Sequence, residues 1–128
     1  MSIHHCDKPS NLLWNDLLKY HKLGYPLGTA SPSHPEGDRA KSDTGIVQGH
    51  AYSILKLIEA DNNKLICIRN PWGSSEWTGD WSDESEKWNK RFKNLVGFEG
   101  IKDDGIFWMD FNDYFKEFEI CYICIELS

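Results

Sequence analysis

Two apolar runs joined by a polar turn constrain this chain more tightly than any other feature. From Gly45 to Ile58 the residues alternate in the manner of a strand, with Val47, Gly49, Ala51, Ser53, Leu55 and Leu57 on one face. His50, Tyr52, Ile54, Lys56 and Ile58 take the other, although the alternation of apolar and polar residues is imperfect. Leu65 to Asn70 forms a second strand, apolar on both sides as a largely buried strand is. Asp61-Asn62-Asn63 between them supplies turn chemistry. An antiparallel hairpin formed this way returns Asn70 towards the start of the first strand, where His50 lies.

The rest of the chain reads as short elements around that hairpin. Ser10 is expected to cap a helix running to about Tyr20, with either Leu13, Leu17 and Tyr20 or Leu12, Leu13 and Trp14 turned inward. Gly24 ends it, Tyr25 to Ala30 is a short extended piece, and Ser31 to Thr44, rich in Pro, Gly, Asp and Ser, is expected to be a mobile loop. Trp72 to Trp88 lacks periodicity and reads as an ordered loop, with a short helix somewhere in Glu84 to Leu95. Ile106 to Asp110 is a strand, a helical turn follows from Phe111 or Asn112 to Phe118, and Glu119 to Leu127 is a final apolar strand. The expected fold is α+β, a mostly antiparallel sheet with peripheral short helices. Residues 1–9 are expected to be a tail and 10–128 a single domain, since 128 residues suffice for one core and not for two.

Charge and cysteine usage narrow the class. A formal charge of −6 speaks against a nucleic-acid partner, and six Trp, five Tyr and six Phe mark a folded protein. No apolar run approaches a membrane span, and the first residues lack the pattern of a signal peptide, so a cytoplasmic location is expected. Cys6, Cys67, Cys121 and Cys124 show no disulfide framework and read as reduced thiols. Cys121 and Cys124 stand three apart on a strand and therefore point to opposite faces, which argues against a shared metal or redox site, even with His4, His5 and Cys6 recruited.

The chemistry lies in Gly49-His50-Ala51-Tyr52-Ser53 and, twenty positions on, Asn70-Pro71-Trp72-Gly73. Imidazole takes a proton from a thiol near neutral pH provided one ring nitrogen is free and the ring is held. An asparagine oxygen accepting from the other nitrogen does both, by fixing tautomer and ring plane. Trp72 can cover that bond with an apolar face, lowering the local dielectric, and Pro71 pushes Asn70 towards extended geometry. A lone histidine in a strand is usually a packing or surface residue. The downstream Asn-Pro-Trp-Gly is what changes the reading. Trp77, Trp81, Trp88 and Trp108 are read as packing.

These motifs, followed by Glu76-Trp77-Thr78-Gly79, Trp81-Ser82-Asp83 and Asp104-Gly105-Ile106-Phe107-Trp108-Met109, together resemble the calpain family of cysteine proteases. The resemblance runs from about Leu12 to the C-terminus and covers the second lobe of a papain-like catalytic core. It implies His50 as base, Asn70 as its orienter, Trp72 as the shield, and a substrate-gating loop before His50. The nucleophile of such a core sits on a first lobe whose Gly-Asp-Cys-Trp-like signature does not occur here. The chain is therefore expected to be inactive alone, with a Cys-bearing first lobe as partner and proteins as substrates. The resemblance also implies a calcium ion held by Glu76, Asp83, Asp104 and the backbone oxygen of Lys102, weakened because Ile106 stands where the family usually has an acid; carboxylate oxygens suit this ion. Two other readings are open: a non-catalytic calpain-like regulatory or scaffolding module, and, from aromatic content alone, a Trp-rich module binding carbohydrate or peptide.

Overall fold

The computed structural model describes residues 1–32, 45–73, 76–98 and 104–125. A six-stranded antiparallel sheet forms its middle, in the order β1-β6-β2-β3-β4-β5. The strands are β1 (Ser2–His4), β2 (Leu27–Ala30), β3 (Ala51–Ala60), β4 (Asn63–Arg69), β5 (Ile106–Asp110) and β6 (Ile120–Ile123). Three helices flank the sheet: α1 (Ser10–Lys22), α2 (Lys90–Val96) and α3 (Phe111–Glu117). The α+β class expected from the sequence is the one observed.

The hairpin is β3 and β4, closed by a two-residue turn in which Asp61 and Asn62 both take positive φ (50° and 65°) and Ala60 pairs with Asn63. Asp and Asn tolerate this region because their short polar side chains bond locally. The strand begins six residues later than expected: 45–50 is a bridge and turn, and the ladder starts at Ala51. A register shift between Ile54 and Lys56 explains the imperfect alternation. One extra residue there lets Tyr52, Ile54 and Leu57 share one core, while Leu55 and Ile58 pack on the other.

Each face of the sheet carries a core. Against one lie α1 and α3, with Leu13, Trp14, Leu17, Phe111 and Tyr114 packed on Ile66, Ile68, Phe107 and Met109. Against the other lie α2 and the Trp-rich segment, with Phe92, Val96 and Trp81 on Leu65, Cys67 and Trp108. Buried on both faces, β4 reads as the continuous apolar run it is. Trp77, Trp81 and Trp108 are packing residues, each no more than 6% exposed.

Two expectations are corrected. Residues 1–9 are not a tail: β1 adds to the sheet beside β6, the Met1 ammonium donates to Ile123 O, and the 3-10 turn His5–Asp7 puts the His5 ring into the core. Backbone pairing, which needs no apolar pattern, holds this edge. Ser10 is also not a cap; α1 starts at Ser10 after Pro9, with no side-chain cap bond. A missing cap costs about 1 kcal/mol. Burying Leu13, Trp14 and Leu17 outweighs it, at about 1.5–3 kcal/mol for each large apolar side chain. Of the loop expected over 31–44, residues 33–44 lie outside the described residues, as do 126–128 at the end of the expected last strand.

Candidate active site

His50 and Asn70 meet at one end of the hairpin. His50 Nε2 lies 3.0 Å from Asn70 Oδ1, and the Trp72 backbone N–H donates to the same oxygen at 3.0 Å. That second bond assigns the amide, because an N–H needs an oxygen opposite it. With Oδ1 an acceptor for both, Nε2 carries the ring hydrogen and Nδ1 keeps the lone pair. Nδ1 makes no hydrogen bond with another described residue. Among the described residues the ring is thus a base with its basic nitrogen uncommitted.

Asn70 is fixed by backbone on both sides. Its N–H donates to Gly105 O (2.8 Å), and its carbonyl accepts from Gly73 N–H (2.9 Å). The approach requires glycine at 105: φ is +82°, and a Cβ there would stand 2.7 Å from Asn70 O. The Asn70 side chain is fully buried, and its Nδ2 has no partner among the described residues. An orphaned buried amide costs about 1–3 kcal/mol and is retained where position matters more than stability. The Trp72 indole lies against the imidazole, ring centroids 4.1 Å apart at 42°, and stays 49% exposed. Tyr52 meets the imidazole edge-on at 5.2 Å.

The backbone of His50 is gripped from β2. Ser31 N–H donates to His50 O (3.1 Å), His50 N–H donates to Ser31 Oγ (3.1 Å), and the Ser31 hydroxyl donates to Val47 O (2.5 Å). Tyr52 Oη accepts Val47 N–H at 2.9 Å. Neither Ser31 nor Gly105 drew a role from the sequence. Gly105 stands inside a quoted motif and could have been suspected as a close-approach glycine; Ser31 gave no signal.

The acidic residues form a second corner beside the first. Glu76 Oε2 accepts the N–H groups of Asp104 and Gly105, each at 3.0 Å, so the segment that holds Asn70 is itself held by Glu76. Burial first, and then the adjoining Asp83 carboxyl, push the Glu76 carboxyl up to about 7. Asp104 Oδ1 turns back to accept Ile106 N–H (3.0 Å). Two carboxylates pressed together fit a hard cation in chemistry, but among the described residues no group of three His, Cys, Asp or Glu gathers as a ligand set. Lys102 lies outside the described residues.

The thiols lie elsewhere. Cys6 faces Asp7 and Cys124 is exposed, whereas Cys67 and Cys121 are buried, and burial pushes their thiols up to about 12 and about 11. Among the described residues none is hydrogen-bonded to His50. No described helix is long and apolar enough to cross a membrane.

Comparison with known proteins shows the family to which the chain belongs. The profile of the calpain family cysteine proteases matches residues 1–125. The chain is 44% identical over 119 residues to the calpain-type cysteine protease ADL1 of rice, covering 92% of this chain and 5% of that protein. It is 37% identical over 123 residues to mouse calpain-8, covering 91% of this chain and 18% of that protein. The nematode calpain clp-1 is 36% identical over 123 residues, 91% of this chain and 16% of the relative. The chain therefore spans a small fraction of the length of these relatives.

Proposed function

The chain belongs to the calpain family of cysteine proteases, and on that premise we propose that it is the histidine- and asparagine-bearing lobe of a papain-like core that hydrolyses peptide bonds in protein substrates. The observation that carries the reading is the 3.0 Å contact of His50 Nε2 with an Asn70 Oδ1 that already accepts the Trp72 N–H, from which the tautomer follows. With Nε2–H given to Asn70 Oδ1, the Nδ1 lone pair is left for a cysteine thiol brought by a first lobe.

The steps follow from that nitrogen. Nδ1 takes the thiol proton, and the thiolate adds to the substrate carbonyl, forming the S–C bond. The tetrahedral intermediate collapses as the C–N bond breaks, and the imidazolium Nδ1–H protonates the departing amine. Water then gives a proton to Nδ1 and adds to the thioester carbonyl; the C–S bond breaks, the acid leaves, and the proton returns to sulfur. Asn70 holds the ring plane while the charge comes and goes, and Trp72 shields the bond between them. Alone, the chain has no thiol hydrogen-bonded to His50, and no peptidase activity is expected of it. Its four free thiols suit a reducing compartment, the cytoplasm.

Calcium belongs to the same proposal. Glu76 and Asp83, with Asp104 on the adjoining segment, are the residues that would hold it, and the ion would neutralise a carboxylate pair that otherwise keeps a proton. Ile106 leaves that set short of an acid, so weak binding is expected. Titration calorimetry with calcium should give heat that Asp83→Ala removes; no heat at millimolar calcium would take the ion out of the account.

The decisive experiment on function is peptidase assay of the full-length protein beside His50→Ala. Cleavage lost in the variant supports the reading. Cleavage that survives, or a full-length protein with no activity towards any protein substrate, overturns it and leaves a non-catalytic module.

A further inference from the structure

We infer that Ser31 is a positioning residue for His50, its hydroxyl setting the backbone that aims the imidazole at Asn70. The inference rests on the reading of His50 as the base. The β2–β3 ladder pairs Ala30 with Ala51, so the next rung is Ser31 with His50. In a hydrogen-bonded antiparallel rung, which alternates with non-bonded ones, the two residues exchange both backbone bonds. Here one half is normal, Ser31 N–H to His50 O at 3.1 Å. The other half is not: His50 N–H goes to Ser31 Oγ at 3.1 Å.

The hydroxyl thus stands in for a backbone carbonyl where the ladder ends. The next bond, Gly49 N–H to Pro32 O at 2.9 Å, belongs to a chain already turning away. Having accepted from His50, the same hydroxyl gives its single proton to Val47 O at 2.5 Å, the nearer of two carbonyls, His50 O standing at 3.3 Å. Val47 is held from its other side by Tyr52 Oη. The turn 47–49 is therefore clamped at both ends, and His50 leaves it with one backbone direction. Ser31 is 3% exposed, so water does not readily replace the hydroxyl. Alanine would leave a part-buried donor, His50 N–H, and a buried acceptor, Val47 O, without the hydroxyl, and restoring their bonds within the protein requires 47–50 to move and carry the ring with it.

The test uses the 128-residue chain with 15N-labelled histidine, comparing wild type, Ser31→Ala and Ser31→Cys. Long-range ring correlations report the tautomer of each histidine, and His5, in the other part of the molecule, is the internal control. Wild type should show His50 as the single Nε2–H tautomer. Ser31→Ala should show a tautomer mixture at His50 with His5 unchanged, and Ser31→Cys, whose thiol is a weaker donor and acceptor, a smaller change in the same direction. Should Ser31→Ala fail to fold, the cysteine variant decides alone.

Wild-type ring signals at His50 in every variant that folds would overturn the inference, as would equal change at both histidines or failure of both variants to fold. In the full-length protein the expected effect of Ser31→Ala is a fall in kcat of about ten- to a hundredfold, with KM nearly constant. Unchanged kcat overturns the inference. A full-length wild type without peptidase activity defeats the functional reading instead, and the ring spectra still decide the role of Ser31.

Discussion

Two imidazoles in this molecule sit beside partners that suit thiol chemistry, and they are arranged in opposite ways. His5 lies next to an actual thiol, its Nε2 3.3 Å from Cys121 Sγ, with Nδ1 3.2 Å from Phe115 O. A carbonyl can only accept, so Nδ1 carries the hydrogen and the Nε2 lone pair is already given to Cys121. The thiol is also 2.9 Å from Tyr114 Oη, which in turn meets Thr29 Oγ1 at 2.8 Å. His5, Cys121, Tyr114 and Thr29 are all buried; burial drives the thiol up to about 11 and the imidazole down, so neither charged form of an ion pair is favoured. His50 holds its hydrogen on the other nitrogen, against an amide, and no described residue claims its lone pair. Proximity of sulfur to imidazole does not make a nucleophile; a free lone pair on a half-exposed ring, with its tautomer fixed from behind, is what the chemistry needs.

The sharpest way to break this comparison is to remove each ring in the full-length protein. His50→Ala should lower kcat by about 10²–10⁴-fold, the range of a lost general base, while His5→Gln should leave kcat within a few-fold; peptidase kinetics on the two variants would contradict the assignment if the effects were reversed. Asn70→Ala comes next. It should cost about a hundredfold in kcat, less than the base itself, because the ring remains and only its orientation is lost. A loss confined to KM would count against an orienting role.

At the other imidazole the expected effects are on stability. Cys121→Ala leaves His5 Nε2 and Tyr114 Oη short of a partner and should cost about 1–3 kcal/mol in urea unfolding of the chain. If stability holds, the network is not a structural one. The smallest effect concerns pH. Burial holds the His5 imidazole below its ordinary 6.5, so on acidification the unfolded chain takes the proton first. The stability associated with neutral His5 is present above about pH 6.5 and is lost as pH falls through the folded value. Glu76 acts in the opposite sense: its raised carboxyl lets the folded state take a proton first, so its contribution falls as pH rises from the ordinary 4.5 towards about 7. Unfolding midpoints between pH 5 and 8 should therefore fall less on acidification in His5→Gln than in wild type, and fall less on alkalinisation in Glu76→Gln. Parallel curves for all three chains would mean that neither group is linked to folding.

Much of this arrangement was legible in the residues. The hairpin was readable because β4 is apolar on both faces and Asp61-Asn62 suits positive φ; local chemistry and burial there agree. Hairpin arithmetic permitted the meeting of His50 with Asn70, and the fold supplied it. The start of β3 at Ala51 was not readable, because the ladder ends on a serine side chain rather than on a change of pattern. Nor was β1, where three residues are held by backbone bonds to β6 that any sequence could make. The acids at 76 and 83 were found by motif, but that Glu76 binds the 104–105 backbone, and so supports Asn70 through Gly105, required coordinates.

By itself the sequence determined the inventory: an imidazole and a carboxamide at the ends of two adjoining strands, a tryptophan beside the carboxamide, and acids on the segments that follow. Strand period and turn chemistry are local, so a linear reading reaches them. Tertiary structure alone decided the proton. Which nitrogen of His50 keeps a lone pair depends on an Asn70 oxygen oriented by the Trp72 backbone, and the fate of His5 depends on Phe115 O and Cys121 Sγ, more than a hundred residues away along the chain. Tautomers are set by whatever stands across each nitrogen, and only folding puts anything there.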